Sequence, residues 1–345
     1  MVEVTDMTSS REAPASGGLV SVTIPAYNNQ ETVAQCLESL VRQKYQPVEV
    51  IVVDDGSTDG TPSKVEQLSQ IYKNLRLVRE EHAGPSHARN IGIRESLGQY
   101  LLFADADAIY SKDYLSKGIS TMSNDPSIGA VCVTGTIWVK KNTFVSRGIA
   151  LEYEMKQRYL KEGKWKPYFA FLYRKDAVLR VGGFDEELFQ SEDKDLFGRV
   201  KSSGYRIGLV DGFNWIHLYP QDVRSLVVRG YRGGKQRVVF LAKKRMYGEL
   251  LRRTVGLWGL VALIILSMYS SLVALGTLVC LILGYVAKSV QTISQAWGKG
   301  KRRDMLLLPL VSVIRYLATA VGYTKGSFTY AIRKGRRLKT SWSDL

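Results

Sequence analysis

Two apolar runs in this chain end in paired carboxylates: VEVIVVDDGSTDG at 48–60 and GQYLLFADADAIY at 98–110. A run that is apolar at odd and even positions alike fits a strand covered on both faces, which points to a layered α/β sheet. Acids at the carboxyl end of such a strand sit where α/β sheets bind ligands. Like charges this close repel unless solvated, hydrogen-bonded or neutralised by a cation. Asp105 and Asp107 therefore belong either to a solvated loop or to a metal site. Their odd-even spacing lets both face a ligand while Ala106 faces the core, and oxygen-only ligands with open positions suit Mg²⁺ or Mn²⁺ bridging a diphosphate.

Strand-like runs alternate with amphipathic helical stretches from Leu19 to about Leu218. VSVTIP (20–25) reads as the first strand, followed by AYNN and a helix with Val33, Leu37 and Leu40 on its apolar side. No G-x-G-x-x-G stands at this turn, which argues against a dinucleotide-dependent dehydrogenase. Thr61 and Pro62 suit a helix start after the second strand. HAGPSHARNIG (82–92) opens a helix carrying Arg89 and Asn90, a setting for a phosphate or for a loop-tying arginine. SEDKDLFGRV places Glu192, Asp193 and Asp195 in a first helical turn, where acids also complement the helix dipole. The three acid groups are expected at one edge of the sheet.

The formal charge of +16 over 345 residues implies an anionic partner, and its distribution identifies which. Residues 1–18 are polar and read as a disordered tail; the globular domain is expected over 19–220. The stretch 221–254 interleaves Arg and Lys with Leu, Val and Phe, as in helices lying on an anionic membrane face. Residues 255–287 carry no charge and read as a transmembrane hairpin, since one span needs roughly 20 apolar residues. Residues 306–326 contain Arg315 centrally and suit an interfacial helix or a third span, before a basic cytoplasmic tail at 327–345. Charge flanking apolar segments favours a lipid surface, with the globular domain on the cytoplasmic face, and no nucleic-acid partner. Cys36, Cys132 and Cys280 are scattered and read as free buried thiols.

The ordered set TIPAYNN, VVDDGSTDG, AGPSHARNIG, ADAD and GGFDEELFQSEDKDL resembles the family-2 glycosyltransferases over about residues 19–220. The resemblance implies a GT-A fold, a Rossmann-like nucleotide-binding sheet flanked by helices, with a nucleotide-diphosphate-sugar donor, a Mn²⁺ or Mg²⁺ ion and inversion at the anomeric carbon. Matched motif by motif, it implies that Pro25, Ala26, Tyr27 and Asn28 line the nucleotide pocket and that Asp54 or Asp55 holds the base or ribose. Arg89 lies near the donor phosphates. Asp105 and Asp107 match the D-x-D, with Asp107 the direct metal ligand. Asp193, beside Glu192, matches the catalytic base, and His217 stands where relatives place a further ligand, though a packing histidine reads equally well.

A carboxylate base serves a hydroxyl acceptor, whereas a lipid phosphate is already ionised. The expectation is thus single-hexose transfer to a hydroxyl of a lipid-linked or glycan acceptor. A polyprenyl-phosphate acceptor is the alternative, and a non-catalytic membrane scaffold is the alternative of another class. The chain departs from the family's processive synthases: in place of their Gln-x-x-Arg-Trp stretch it has VVRGYRGGKQ (227–236). Arg229, Arg232 and Lys235 in that segment are candidates for neutralising a diphosphate of donor or acceptor.

Overall fold

The structure, a computed structural model, describes residues 18–138, 143–161, 172–217, 222–246 and 307–342, with Gly248 and Gly259. Strands β1 (Val20–Ala26), β2 (Val48–Asp55), β3 (Leu75–Glu80) and β4 (Tyr100–Phe103) are parallel, with β1 between β2 and β4. Strands β5 (Ala108–Tyr110), β6 (Ile128–Trp138), β7 (Leu172–Arg174) and β8 (Arg206–His217) complete a mixed sheet ordered β3-β2-β1-β4-β7-β6-β8-β5. β7 runs antiparallel to both of its neighbours, β4 and β6.

Alternation along the strands supplies two apolar faces. Val50, Val52 and Leu102 pack with α1 (Val33–Val41), α2 (Thr61–Ile71) and α4 (Tyr114–Asn124), through Leu37, Val65 and Ile119. Ile51 and Val53 pack on the other face against Ala88 and Ile91 of α3 (Pro85–Glu95). Leu101 and Phe103 meet Val178 of α6 (Lys175–Arg180) and Leu196 and Val200 of α7 (Glu192–Ser202). Strands covered on both sides are the physical basis of their continuous apolar sequence. β1, β2 and β4 run parallel, so their carboxyl ends open at one edge, and the winding reverses where β1 lies between the other two, the usual place for a ligand.

Three further helices build onto this edge: α5 (Phe144–Lys161), α8 (Val223–Lys243) and α9 (Leu307–Trp342). A capping box starts α8: Asp222 accepts from the Ser225 N–H at 2.7 Å while Ser225 accepts from the Asp222 N–H. One face of α8 buries Leu226, Gly230, Gly234, Val238 and Leu241. Val145 and Ile149 of α5 pack with Leu226 and with Val311 of α9, while Tyr323 of α9 packs on Val238 and Leu241. Glycines spaced four apart bring α8 and α9 into backbone contact. A Cβ on Gly234 would lie 2.1 Å from the Thr319 carbonyl oxygen, and one on Gly322 2.1 Å from that of Tyr231. Small residues at this spacing permit such an approach.

The expected boundary at 326/327 falls inside α9, which continues to Trp342. Arg315, expected at a membrane interface or within a span, is ion-paired with Glu152 of α5. Among the described residues no helix is long and apolar enough to cross a membrane, so the expected third span at 306–326 is not supported. The expected hairpin at 255–287, apart from Gly259, and the tail at 1–17 lie outside the described residues, as does Cys280. Cys36 and Cys132 are buried, and neither forms a disulfide among the described residues.

Candidate functional site

A cavity of about 750 Å³ lies over the carboxyl ends of β1, β2 and β4. Its floor and walls are Pro25, Ala26, Tyr27 and Asn29 from β1 and the turn after it, Asp55 from β2, and Asp105, Ala106 and Asp107 after β4. His82, Pro85 and Arg89 enter from the start of α3, Phe189 from the loop before α7, and Tyr231, Arg232, Lys235 and Gln236 form a roof from α8. Cationic side chains thus face an acidic floor, an arrangement suited to a diphosphate with a cation beneath it.

A second cavity of about 200 Å³ adjoins the first and shares Arg89 and Asp105 with it. Phe103, Tyr173, Phe184, Gln190, Ser191, Glu192 and Asp193 line the remainder. Ser191 takes a left-handed backbone (φ 66°) immediately before α7, turning the first-turn acids towards this space. The loop ahead of it is pinned to α3. Asn90 accepts from the Phe184 N–H at 2.8 Å, donates to the Phe184 carbonyl at 2.9 Å and donates to Glu186 at 2.8 Å. His87 adds a 2.9 Å contact to Glu186, and the Ser86 hydroxyl donates to the Leu188 carbonyl.

Arg89 joins the two cavities. It donates to Glu192 at 2.8 Å and to Asp105 at 3.4 Å. Burial works against its charge, but Glu192, Asp105 and Asp193 outweigh that and hold it firmly protonated. Asp193 is pushed up to about 6, first by burial and then by the Glu192 charge, with Lys194 and Arg89 opposing. A carboxylate with a pKa near neutrality can both accept and release a proton at working pH.

The other candidates divide. Asp55 is buried and accepts from the N–H groups of Ala83 and Gly84 at 2.8 and 3.0 Å, with His82 Nδ1 at 2.9 Å. Asp54 is buried behind the wall; its Oδ2 accepts from the Ser57 N–H at 3.3 Å, and Oδ1 has no hydrogen-bond partner among the described residues. Asn28, expected in the pocket, turns away: its backbone is left-handed (φ 54°) and its side chain accepts from the Thr58 N–H at 2.9 Å, leaving Asn29 in the wall. Arg232 and Lys235 line the large cavity, but Arg229 lies on a different side of α8. The His217 backbone pairs with Ala108, next to Asp107, and its side chain lies outside the described residues.

Sequence reasoning did not place Phe189, Tyr231 or Gln236 at the cavity. Nor did it foresee that His82 stacks on Tyr27, with ring centroids 4.2 Å apart. Asp105 and Asp107 fit the D-x-D metal role in chemistry, as two hard oxygen donors flanking a buried Ala106 on a cavity wall. Among the described residues no group of three or more His, Cys, Asp or Glu forms a self-contained metal cage, so the remaining ligands would come from diphosphate and water.

The pattern of Glycosyl transferase family 2 matches residues 21–187. Glycosyltransferase AglE of Haloferax volcanii is 33% identical over 230 residues, covering 64% of this chain and 73% of that protein. The chain belongs to glycosyl transferase family 2. The probable glycosyltransferase YdaM of Bacillus subtilis is 31% identical over 201 residues, covering 54% of this chain and about half (48%) of that one. The sheet is of the GT-A type: the mannosyltransferase PcManGT of Pyrobaculum calidifontis, solved with GDP-Man and Mn²⁺, superposes with a TM-score of 0.60 at 21% identity over 90% of this chain and 88% of that one. The family-2 match ends before Glu192, so the placement of Asp193 and of α8 at the site rests on geometry.

Proposed function

We propose that this family-2 glycosyltransferase moves one hexose, with inversion, from a nucleotide-diphosphate-sugar to a hydroxyl of a lipid-linked acceptor. The observation that carries the proposal is the continuity of the two cavities through Arg89 and Asp105, with cationic and acidic diphosphate contacts on one side and Asp193 on the other. The nucleotide lies along β1 and β2, its base or ribose against Tyr27 and the Asp54–Asp55 turn. Arg232 and Lys235 face the diphosphate from above.

Asp193 takes the proton of the acceptor hydroxyl as its oxygen attacks the anomeric carbon, and the bond from that carbon to the diphosphate oxygen breaks on the opposite face. Burial and the Glu192 charge raise the proton affinity of Asp193, and Lys194 and Arg89 oppose them. Asp105 and Asp107 would hold a Mn²⁺ or Mg²⁺ ion, which when bound neutralises charge developing on the departing diphosphate.

The proposal includes a membrane-associated protein with its catalytic face on the cytoplasmic side. Leu310, Val313, Leu317 and Val321 form an exposed apolar stripe at helical spacing on α9, and the sequence at 255–287 carries no charge. The test incubates the full chain with radiolabelled UDP-, GDP- and dTDP-sugars and a membrane lipid extract, with and without EDTA. Label entering the lipid phase only with metal present is the expected result. Donor binding without transfer to any lipid would reject the acceptor, and full activity in Asp193→Asn would favour an ionised phosphate as nucleophile.

A further inference from the structure

A third cavity, of about 180 Å³, lies on the side of α8 away from the donor roof. Arg229 and Arg237 of α8 and Arg315 of α9 line it together, with Leu226 and Ile149 supplying an apolar wall and Gln190 closing it towards Asp193. On α8 the lining positions 226, 229, 230, 233 and 237 follow helical spacing, one stripe over from Tyr231, Arg232 and Lys235. Arg315 is anchored from the far side by its ion pair to Glu152. Three guanidinium groups at one small opening make its lining strongly cationic, a setting that favours an anion. Guanidinium is also the side chain best shaped for phosphate oxygens.

We infer that this cavity binds the phosphate or diphosphate of a lipid-linked acceptor, with Arg229, Arg237 and Arg315 on the phosphate oxygens and the apolar chain against Leu226 and Ile149. The inference rests on the transfer reaction proposed above and deepens it. Gln190 lines both this cavity and the one holding Asp193, so a sugar attached to the bound phosphate extends directly towards the base. Two sources share the ligand chemistry, a lipid phosphate and a free one, and the apolar wall favours the lipid.

Two variants test the site in different ways. Arg237→Gln removes one charge. Gly233→Leu fills the space sterically; a Cβ there meets only Gln190 Oε1, at an ordinary 3.7 Å, so the helix accepts it. The full chain is first saturated with UDP or GDP and Mn²⁺ to occupy the donor cavity, then titrated calorimetrically with farnesyl diphosphate or inorganic pyrophosphate. Farnesyl diphosphate is expected to bind at least roughly tenfold tighter than pyrophosphate and to lose roughly tenfold or more in each variant, while nucleotide affinity is unchanged. Absence of farnesyl diphosphate binding, equal binding by pyrophosphate, or unchanged binding in both variants would overturn the inference. If neither nucleotide binds the wild type, the donor reading fails instead, and the variant comparison in nucleotide-free protein still decides this cavity.

Discussion

The Arg89 guanidinium and the Glu192 carboxylate meet at 2.8 Å between α3 and α7, both largely withdrawn from solvent. Removing the cation strands Glu192 and Asp105 as uncompensated charges. Arg89→Ala is therefore expected to lower stability by about 2–4 kcal/mol, read from urea unfolding. Because Arg89 opposes the upward shift of Asp193, the same variant should also raise the pH at which activity appears.

As the proposed base, Asp193 is expected to govern the acid side of the pH profile. With its carboxyl pushed up to about 6, kcat/KM is expected to fall as pH drops through about 6, because the proton then occupies the group that must receive one. Asp193→Asn should reduce turnover on the order of 10²–10⁴-fold and remove that limb, with nucleotide affinity retained. A profile whose acid limb stays near the ordinary carboxylate range would contradict this role.

The same shift has a thermodynamic sign. A carboxyl whose folded pKa lies above its unfolded value contributes stability at low pH that is lost as pH rises through about 6. At pH 8 an ionised Asp193 thus weakens the fold, and Asp193→Asn is expected to be more stable by on the order of 1 kcal/mol. That gain should shrink towards pH 4, in urea midpoints measured at both values.

Gly234→Val should disturb two properties together. Its Cβ would lie 2.1 Å from the Thr319 carbonyl oxygen, so α8 and α9 must separate. A cost of about 1–3 kcal/mol is expected. Nucleotide affinity should weaken as well, since Tyr231, Arg232 and Lys235 are carried by the displaced helix. Calorimetric titration with UDP or GDP separates this from a purely structural defect.

For the metal, EDTA is expected to abolish transfer and added Mn²⁺ to restore it. Asp107→Asn should raise the Mn²⁺ concentration needed for nucleotide binding by roughly tenfold or more, through loss of a charged oxygen ligand. Nucleotide binding indifferent to both treatments would remove the ion from the site.

What could be read from the sequence was what local pattern dictates. The two-sided apolar runs of β2 and β4 became central strands, and their terminal acids came to one edge because both run parallel to β1 between them. Leu196 and Val200, four apart in the sequence, are buried on one side of α7. Tyr231 and Gln236 were not legible as cavity residues, because nothing in their own segment says that α8 returns over the sheet. The signal that could have placed α8 was the glycine spacing at 230 and 234, matched at 322 and 326, which marks two helices in backbone contact. Asn28 and Asn29 differ only in which one takes the left-handed turn, a choice settled by the Thr58 contact.

The latch at the end of α8 has a kinetic consequence. Lys243 binds Asp185 and Glu187, and Lys244 binds Asp195, so one helix is fastened to the segment that carries the proposed proton acceptor. Tilting that helix would alter sugar-nucleotide grip and base alignment in the same movement. Substrate order and chemical competence would then be set by one mechanical degree of freedom.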